Sequence, residues 1–190
     1  MGSNRRIWAA LVHHPVLDRQ GGVVTTSVTN MDIHDLARTG RTFDLAAVII
    51  ATPIDIHREM VMKVVSHWQD PDTWKRTPSR KEALELIRVA PDIGEAAGMI
   101  EKETGRKPGI VGTTARIVEG AVSFDDLRSR IRSDPDRPWL IIFGTGWGLA
   151  PAALEQCGSI LKPIEGAGGY SHLSVRSAAA IILDRLLSDR

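Results

Sequence analysis

The chain alternates short apolar runs with stretches in which apolar residues recur every three or four positions. "RIWAALVHH" and "GGVVTTSV" read as strands, joined by a polar connection carrying Gly21 and Gly22. "TNMDIHDLARTGRTF" predicts a helix capped by Thr29 or Asn30, with Asp32 in its first turn. "DLAAVIIATP" is almost wholly apolar and stops at Pro53, the pattern of a parallel strand buried on both faces. In "IDIHREMVMKVVSHW", Ile56, Met60, Val61, Val64 and Trp68 recur at helical spacing. The polar stretch "QDPDTWKRTPSRK" reads as a solvated loop, and "EALELIRVA" fits helix or strand. "DIGEAAGMIEKETG" predicts a helix ended by Gly105. "PGIVGTTA" and "PWLIIFG" predict strands on either side of a helix, "SFDDLRSRIR". "AALEQC" reads as a short helix leading to the strand "GSILKPI". The segment "YSHLSVRSAAAIILDRLLSDR" is a strong helix with the stripe Val175, Ala178, Ala179, Ile182 and Leu186, free to pack on the sheet or on a second copy of the chain.

This alternation predicts an α/β fold, one domain over residues 1–190, with a mainly parallel sheet and helices on both faces. In such folds ligands gather outside the carboxyl ends of the strands. "IATP" with Thr52 and Pro53, "GTTA" with Thr113 and Thr114, and "LIIFGTGWGLAP" all end strands on that side. In the last, Gly144, Gly146 and Gly148 let a backbone come close to a neighbour without Cβ interference. The loop fits two positions of the dinucleotide fingerprint, but the third falls on Leu149; a phosphate-binding Gly-Lys-Ser/Thr is missing altogether. A nicotinamide-dinucleotide enzyme built on this loop stands as a second reading.

Composition narrows the classes. With 190 residues, 43% apolar and 25% charged, the chain suits a globular core. A net charge of +1 neither announces nor excludes nucleic acid, so a local basic patch must carry any such contact. The best patch is "WKRTPSRK", where Lys75, Arg76, Arg80 and Lys81 surround Trp74, cations for phosphates beside an indole for base stacking. Cys157 is the sole cysteine, which rules out an internal disulfide and a multi-thiolate zinc site. The six histidines show no ligand spacing with acidic partners, and no metal is expected. The apolar run after Arg5 and Arg6 ends at Pro15, too short to span a bilayer, so the chain reads as cytoplasmic with no membrane partner.

Three separated stretches carry a resemblance. "DIHDLARTGRTFD", "FGTGWGLAP" and "KPIEGAGGYSHLSVRSAAAIILDRL", in that order, resemble the three motifs of the SPOUT superfamily of RNA methyltransferases; "HLSVRSAAAIILDRL" is the most specific piece. The resemblance implies a C-terminal trefoil knot, S-adenosylmethionine as cofactor, tRNA or rRNA as substrate and a homodimer. It implies Arg38, Arg41 and Asp35 as catalytic candidates, the arginines orienting phosphate or ribose because a guanidinium is a poor base. For the cofactor it implies Thr52, Pro53, Thr113, Thr114, Phe143, Gly144, Thr145, Gly146 and Gly148, then Pro163, Ile164, Gly166, His172, Leu173 and Ser174. Asp35, Ala37 and Ser174 depart from the ribose-methylating branch, and "GTGWG" lacks its glutamate, which leaves base and ribose methylation both open. A non-catalytic RNA-binding protein of the same fold is a third reading.

Overall fold

The computed structural model describes residues 6–75, 77–168, 170 and 172–188; Arg76 of the basic patch lies outside them. Strand β1 (Ile7–Val12) leads into an antiparallel hairpin, β2 (Val16–Leu17) and β3 (Val23–Val24), and then into helix α1 (Asn30–Thr42). Strand β4 (Ala47–Ala51) is followed by α2 (Asp55–Gln69), α3 (Pro71–Trp74) and α4 (Pro78–Leu84). Then come β5 (Ile87–Ala90), α5 (Ile93–Thr104), β6 (Gly109–Thr113), α6 (Phe124–Ser133) and β7 (Trp139–Gly144). A short α7 (Pro151–Leu154), β8 (Ser159–Leu161) and α8 (Val175–Leu187) complete the order.

Six strands form one sheet in the order β5-β4-β1-β7-β6-β8, and every pairing is parallel. The apolar runs that suggested two-sided burial supply its centre: β1 and β4 are buried at every position. One face packs Leu11, Ile50, Ile141 and Phe143 against Leu36, Val61, Leu127 and Leu183 of the helices over it. The other packs Ala10, Ile49 and Ile142 against Ile93 and Ile100 of α5, Ala153 of α7 and Val16 of the hairpin. The stripe of α8 is spent inside the chain, since Ala179, Ile182, Leu183 and Leu186 are buried in the first of these layers.

Local chemistry explains the boundaries. Thr29 caps α1 in a capping box: its side chain accepts from Asp32 N–H, and the Asp32 carboxylate accepts from Thr29 N–H. Gly105 ends α5 with φ of 73°, a left-handed conformation natural to glycine. The stretch expected as a loop is largely helical. Asp70 accepts from Asp72 N–H at 2.9 Å, and Pro71 and Pro78 stand at first helical positions, where a missing N–H costs nothing. "EALELIRVA" is both things: its first residues end α4 and its last form β5.

Candidate cofactor edge and substrate groove

At the carboxyl edge of the sheet Val12 pairs with Ala51 on one side and Gly144 on the other, and Thr113 pairs with Leu161. The loops after β6, β7 and β8 converge there. The Arg116 guanidinium donates to the Trp147 carbonyl at 3.4 Å, and Trp147 and His172 meet edge to face, 5.7 Å between ring centres. Tyr170 extends this exposed cluster, its ring 5.4 Å from that of His172. Arg116 of the β6 loop, Trp147 of the β7 loop and Tyr170 and His172 of the β8 loop are thus neighbours, although they are distant in sequence. Thr52 and Pro53 lie beyond β1 from β7. Thr52 is buried and internally committed: its N–H donates to Ala90, its hydroxyl accepts from Ile54 N–H and its carbonyl accepts from Arg58.

The glycines of the β7 loop answer to the chain itself. A Cβ on Gly144 would stand 2.5 Å from the backbone nitrogen of Leu149, and one on Gly146 2.8 Å from the Leu17 carbonyl. The hairpin grips the loop: Leu17 N–H donates to the Gly148 carbonyl, Trp147 N–H to Leu17 and Ala150 N–H to Pro15. Gly146 and Gly148 have φ of 58° and 99°, and only at Gly148 is the space beyond the Cα open. Thr145 is equally engaged, its hydroxyl 2.5 Å from that of Thr26 and 3.1 Å from the Val12 carbonyl. On the opposite wall, half-buried Ile164 packs on the core and Leu173 is exposed, so an apolar surface stands beside the main chain of the β8 loop. Such a surface fits a purine held between backbone and apolar side chains.

Beneath this edge lies a buried polar cluster. His13 is fully buried, its Nδ1 3.0 Å from the Thr26 hydroxyl, while its Nε2 has no partner. Burial pushes its pKa down to about 4, against the opposing pull of the Asp32 carboxylate. Asp32, 5% exposed, receives Arg176 Nη1 at 2.7 Å, and Arg176 Nε lies 3.2 Å from Asp35. One guanidinium therefore ties the start of α8 to the start of α1. Ser174 caps α8, accepting from Ser177 N–H at 3.2 Å. Arg176 stands two residues beyond Ser174, but nothing in the sequence alone ties it to α1.

Along α1 the two arginines separate. Arg41 is 3.8 Å from Glu82, an exposed pair. Arg38 faces a groove of about 630 Å³ between α1, α2 and α4, lined with it by His34, Met60, Lys63, Trp68 and Arg80. Arg80 sits over the Trp68 ring, 4.6 Å from its centre. His34 lies edge-on to the same ring, its Nδ1 buried without a partner; burial, then the Arg80 charge, holds its pKa below the ordinary value. The basic patch divides too: Lys75 is 3.6 Å from Asp72, Lys81 binds Glu85 at 2.7 Å, and only Arg80 of the described patch lines the groove. Trp68 stands near the basic patch in sequence, but Lys63 gave no separate signal, because helical spacing marks it as surface. No group of three or more metal-binding side chains occurs among the described residues, and burial raises the Cys157 thiol pKa to about 11.

A parallel α/β sheet with glycine-bearing loops gathered at its carboxyl edge defines a nucleotide- or cofactor-binding class. Within that class, residues 6–188 match the model of the SAM-dependent RNA methyltransferase family, and the chain belongs to it. An uncharacterized protein of Aquifex aeolicus is 43% identical over 185 residues, 97% of this chain and 90% of that protein. A protein of Oleidesulfovibrio alaskensis named tRNA (guanine-N(1)-)-methyltransferase is also 43% identical over 185 residues, again 97% of this chain but only 43% of its own length. The chain thus spans less than half of that relative. The fold matches that of the SpoU methyltransferase AviRb from Streptomyces viridochromogenes with a TM-score of 0.57 and 21% identity, covering 97% of this chain and 60% of that one. The family's cofactor is S-adenosylmethionine, not a nicotinamide dinucleotide.

Proposed function

We propose that this chain is an active enzyme that methylates a nucleotide of tRNA, with its cofactor on the loops after β6, β7 and β8 and its substrate entering beside Arg38. The observation that carries the reading is the Arg176 link, which ties the start of α8, just after the β8 loop, to the start of α1, from which Arg38 projects into an open groove. S-adenosylmethionine, when bound, supplies a sulfonium methyl group that needs no metal to activate it. The chain's share is position. Backbone groups of the β8 loop around Ile164 through Gly168 would take the adenine edge, with Ile164 and Leu173 flanking it. Arg38, exposed in the groove, would orient phosphate or ribose of the RNA and so position the accepting atom. Asp35, exposed and with its Oδ2 3.2 Å from Arg176, is the carboxylate that would take the proton the accepting atom loses.

The tRNA assignment takes its support from the relatives' name. More than half of the Oleidesulfovibrio protein lies outside the match, so its guanine-N1 specificity is not carried over. The reading also takes the chain as one cytoplasmic SPOUT-like methyltransferase domain with a trefoil knot, assembled as a homodimer. Tyr170 (73% exposed) and Leu173 (44% exposed) offer apolar surface for that contact. Calorimetry with S-adenosylmethionine and with NAD, followed by transfer of a radiolabelled methyl group to unmodified tRNA and nucleoside mass spectrometry, tests the reading. Binding of S-adenosylmethionine alone, with label in one tRNA nucleoside, is the expected result. Binding without transfer to any RNA would instead favour an RNA-binding protein that keeps the fold.

A further inference from the structure

We propose that the groove between α1, α2 and α4 is a recognition site for an unpaired RNA nucleotide, held by stacking on the Trp68–Arg80 pair and by phosphate contacts to Arg38 and Lys63. The inference rests on the RNA reading above and adds to it the form of RNA that fits. At about 630 Å³ the groove lies in the range of roughly 300–1,000 Å³ that holds one small ligand or one extruded base. Its charge is one-sided. Arg38, Lys63 and Arg80 line it, and none of the three forms an ion pair with a carboxylate among the described residues. Among the described residues, the only lining carboxylate, Asp35, is already paired with Arg176. A polyanion is the occupant that this imbalance favours.

The aromatic arrangement makes the occupant specific. With Arg80 over the Trp68 ring, 4.6 Å from its centre, a planar cation and an indole stand together at the groove as stacking partners for a base. Bases stack on arginine and tryptophan planes only when unstacked from their neighbours, so a loop or flipped nucleotide fits and a continuous duplex does not. His34 lines the groove wall with its ring edge-on to Trp68, 5.8 Å between ring centres, and adds a further aromatic surface. Met60 and Val64 furnish apolar floor beside it.

The test uses the full chain, a fluorescein-labelled 12-nucleotide single-stranded RNA, a hairpin duplex of the same length, and unmodified tRNA. Anisotropy should show the single strand and tRNA bound more tightly than the duplex. Lys63→Glu and Arg80→Ala, both on the groove surface, should each weaken single-strand binding about tenfold, and Arg80→Ala should lower the slope of log affinity against log salt by about 0.7. Trp68→Leu should weaken it at least as much, and the two charge variants decide the matter if that variant folds poorly. Binding of S-adenosylmethionine should be unchanged in all three, which separates loss of the groove from failure of the methyl-transfer reading. Unchanged RNA affinity in both charge variants would overturn the proposal. So would a mononucleotide competing as well as the oligomer, or a loss of self-association in place of RNA binding.

Discussion

Two regions of this protein each behave in structure against the first impression of their sequence. The glycine loop after β7 looks like the place where a ligand meets bare backbone, yet Gly144 and Gly146 are crowded by the chain's own Leu149 and Leu17. The basic stretch around Trp74 looks like a solvated loop, yet it folds into short helices and sends Arg80 across Trp68 beside an open groove. The difference lies in what satisfies the polar and steric demands of each region. Around the loop, the hairpin bonds the backbone of Trp147, Gly148 and Ala150 and fills the space beside Gly146. In the groove, Arg38, Lys63 and Arg80 have no carboxylate partner among the described residues. Damage in the first region should therefore appear as lost folding, and damage in the second as lost function in a folded protein.

The sharpest test of the first half is Gly146→Val. It forces a β-branched residue to φ of 58° and sets its Cβ against the Leu17 carbonyl. Left-handed strain and overpacking together should cost about 2–5 kcal/mol. The expected result is a lower melting temperature and lost cofactor binding together. Gly148→Ala, strained but unobstructed, should cost only about 1–2 kcal/mol. Normal thermal stability in Gly146→Val with cofactor binding abolished would reverse the comparison and return that glycine to direct ligand contact.

Acid probes the polar cluster beneath the loop. His13 has a pKa of 6.5 when unfolded and about 4 when folded, because burial disfavours its charged form. Above pH 6.5 neither state binds the proton, and the histidine's environment costs nothing. As pH falls from 6.5 toward 4 the unfolded chain takes up a proton that the folded chain refuses, so stability declines; below the folded value it levels off. The gap corresponds to about 3 kcal/mol. Urea unfolding at pH 7 and pH 4 should show the wild type losing about that much more than His13→Gln. An identical loss in both proteins would mean that the buried imidazole is relieved by some other group.

How much of this was legible in the sequence depends on the range of the interaction. Parallel strands such as Ala47–Ala51 and Trp139–Gly144 announce themselves by continuous apolar runs, and helix ends such as Thr29 and Gly105 by capping chemistry, because both signals are local. The motif order pointed to the family for the same reason. What stayed hidden is tertiary. Nothing near Asp32 or Asp35 shows that Arg176, on the far end of the chain, will bridge them. Nothing near Gly146 shows that Leu17 will fill the space beside it. Trp68 sits at a position that helical spacing assigns to the core, and only the fold shows it half-exposed beneath Arg80.

The smallest structural change with a large functional consequence is expected at Arg38, and its neighbour provides the control. On sequence grounds Arg38 and Arg41 are equivalent, three residues apart on one helix. The structure separates them: Arg41 approaches Glu82 at 3.8 Å on the surface, and Arg38 lines the groove. An exposed ion pair contributes about 0–1 kcal/mol, so Arg41→Ala should leave melting temperature and methyl transfer nearly unchanged. Arg38→Ala should also leave the fold intact, because that side chain is exposed and holds nothing in place. If its guanidinium orients the substrate mainly in the transition state, transfer should fall by roughly two orders of magnitude, with affinity for S-adenosylmethionine unchanged. Arg38→Lys should recover only part of the rate, since an ammonium cannot reproduce a planar two-point contact. The measurement is single-turnover transfer of labelled methyl groups to tRNA, with calorimetry and thermal melts on the same variants. Equal losses at Arg38 and Arg41 would show that proximity to the groove does not decide the role, and equal indifference would make both arginines surface residues of an ordinary helix.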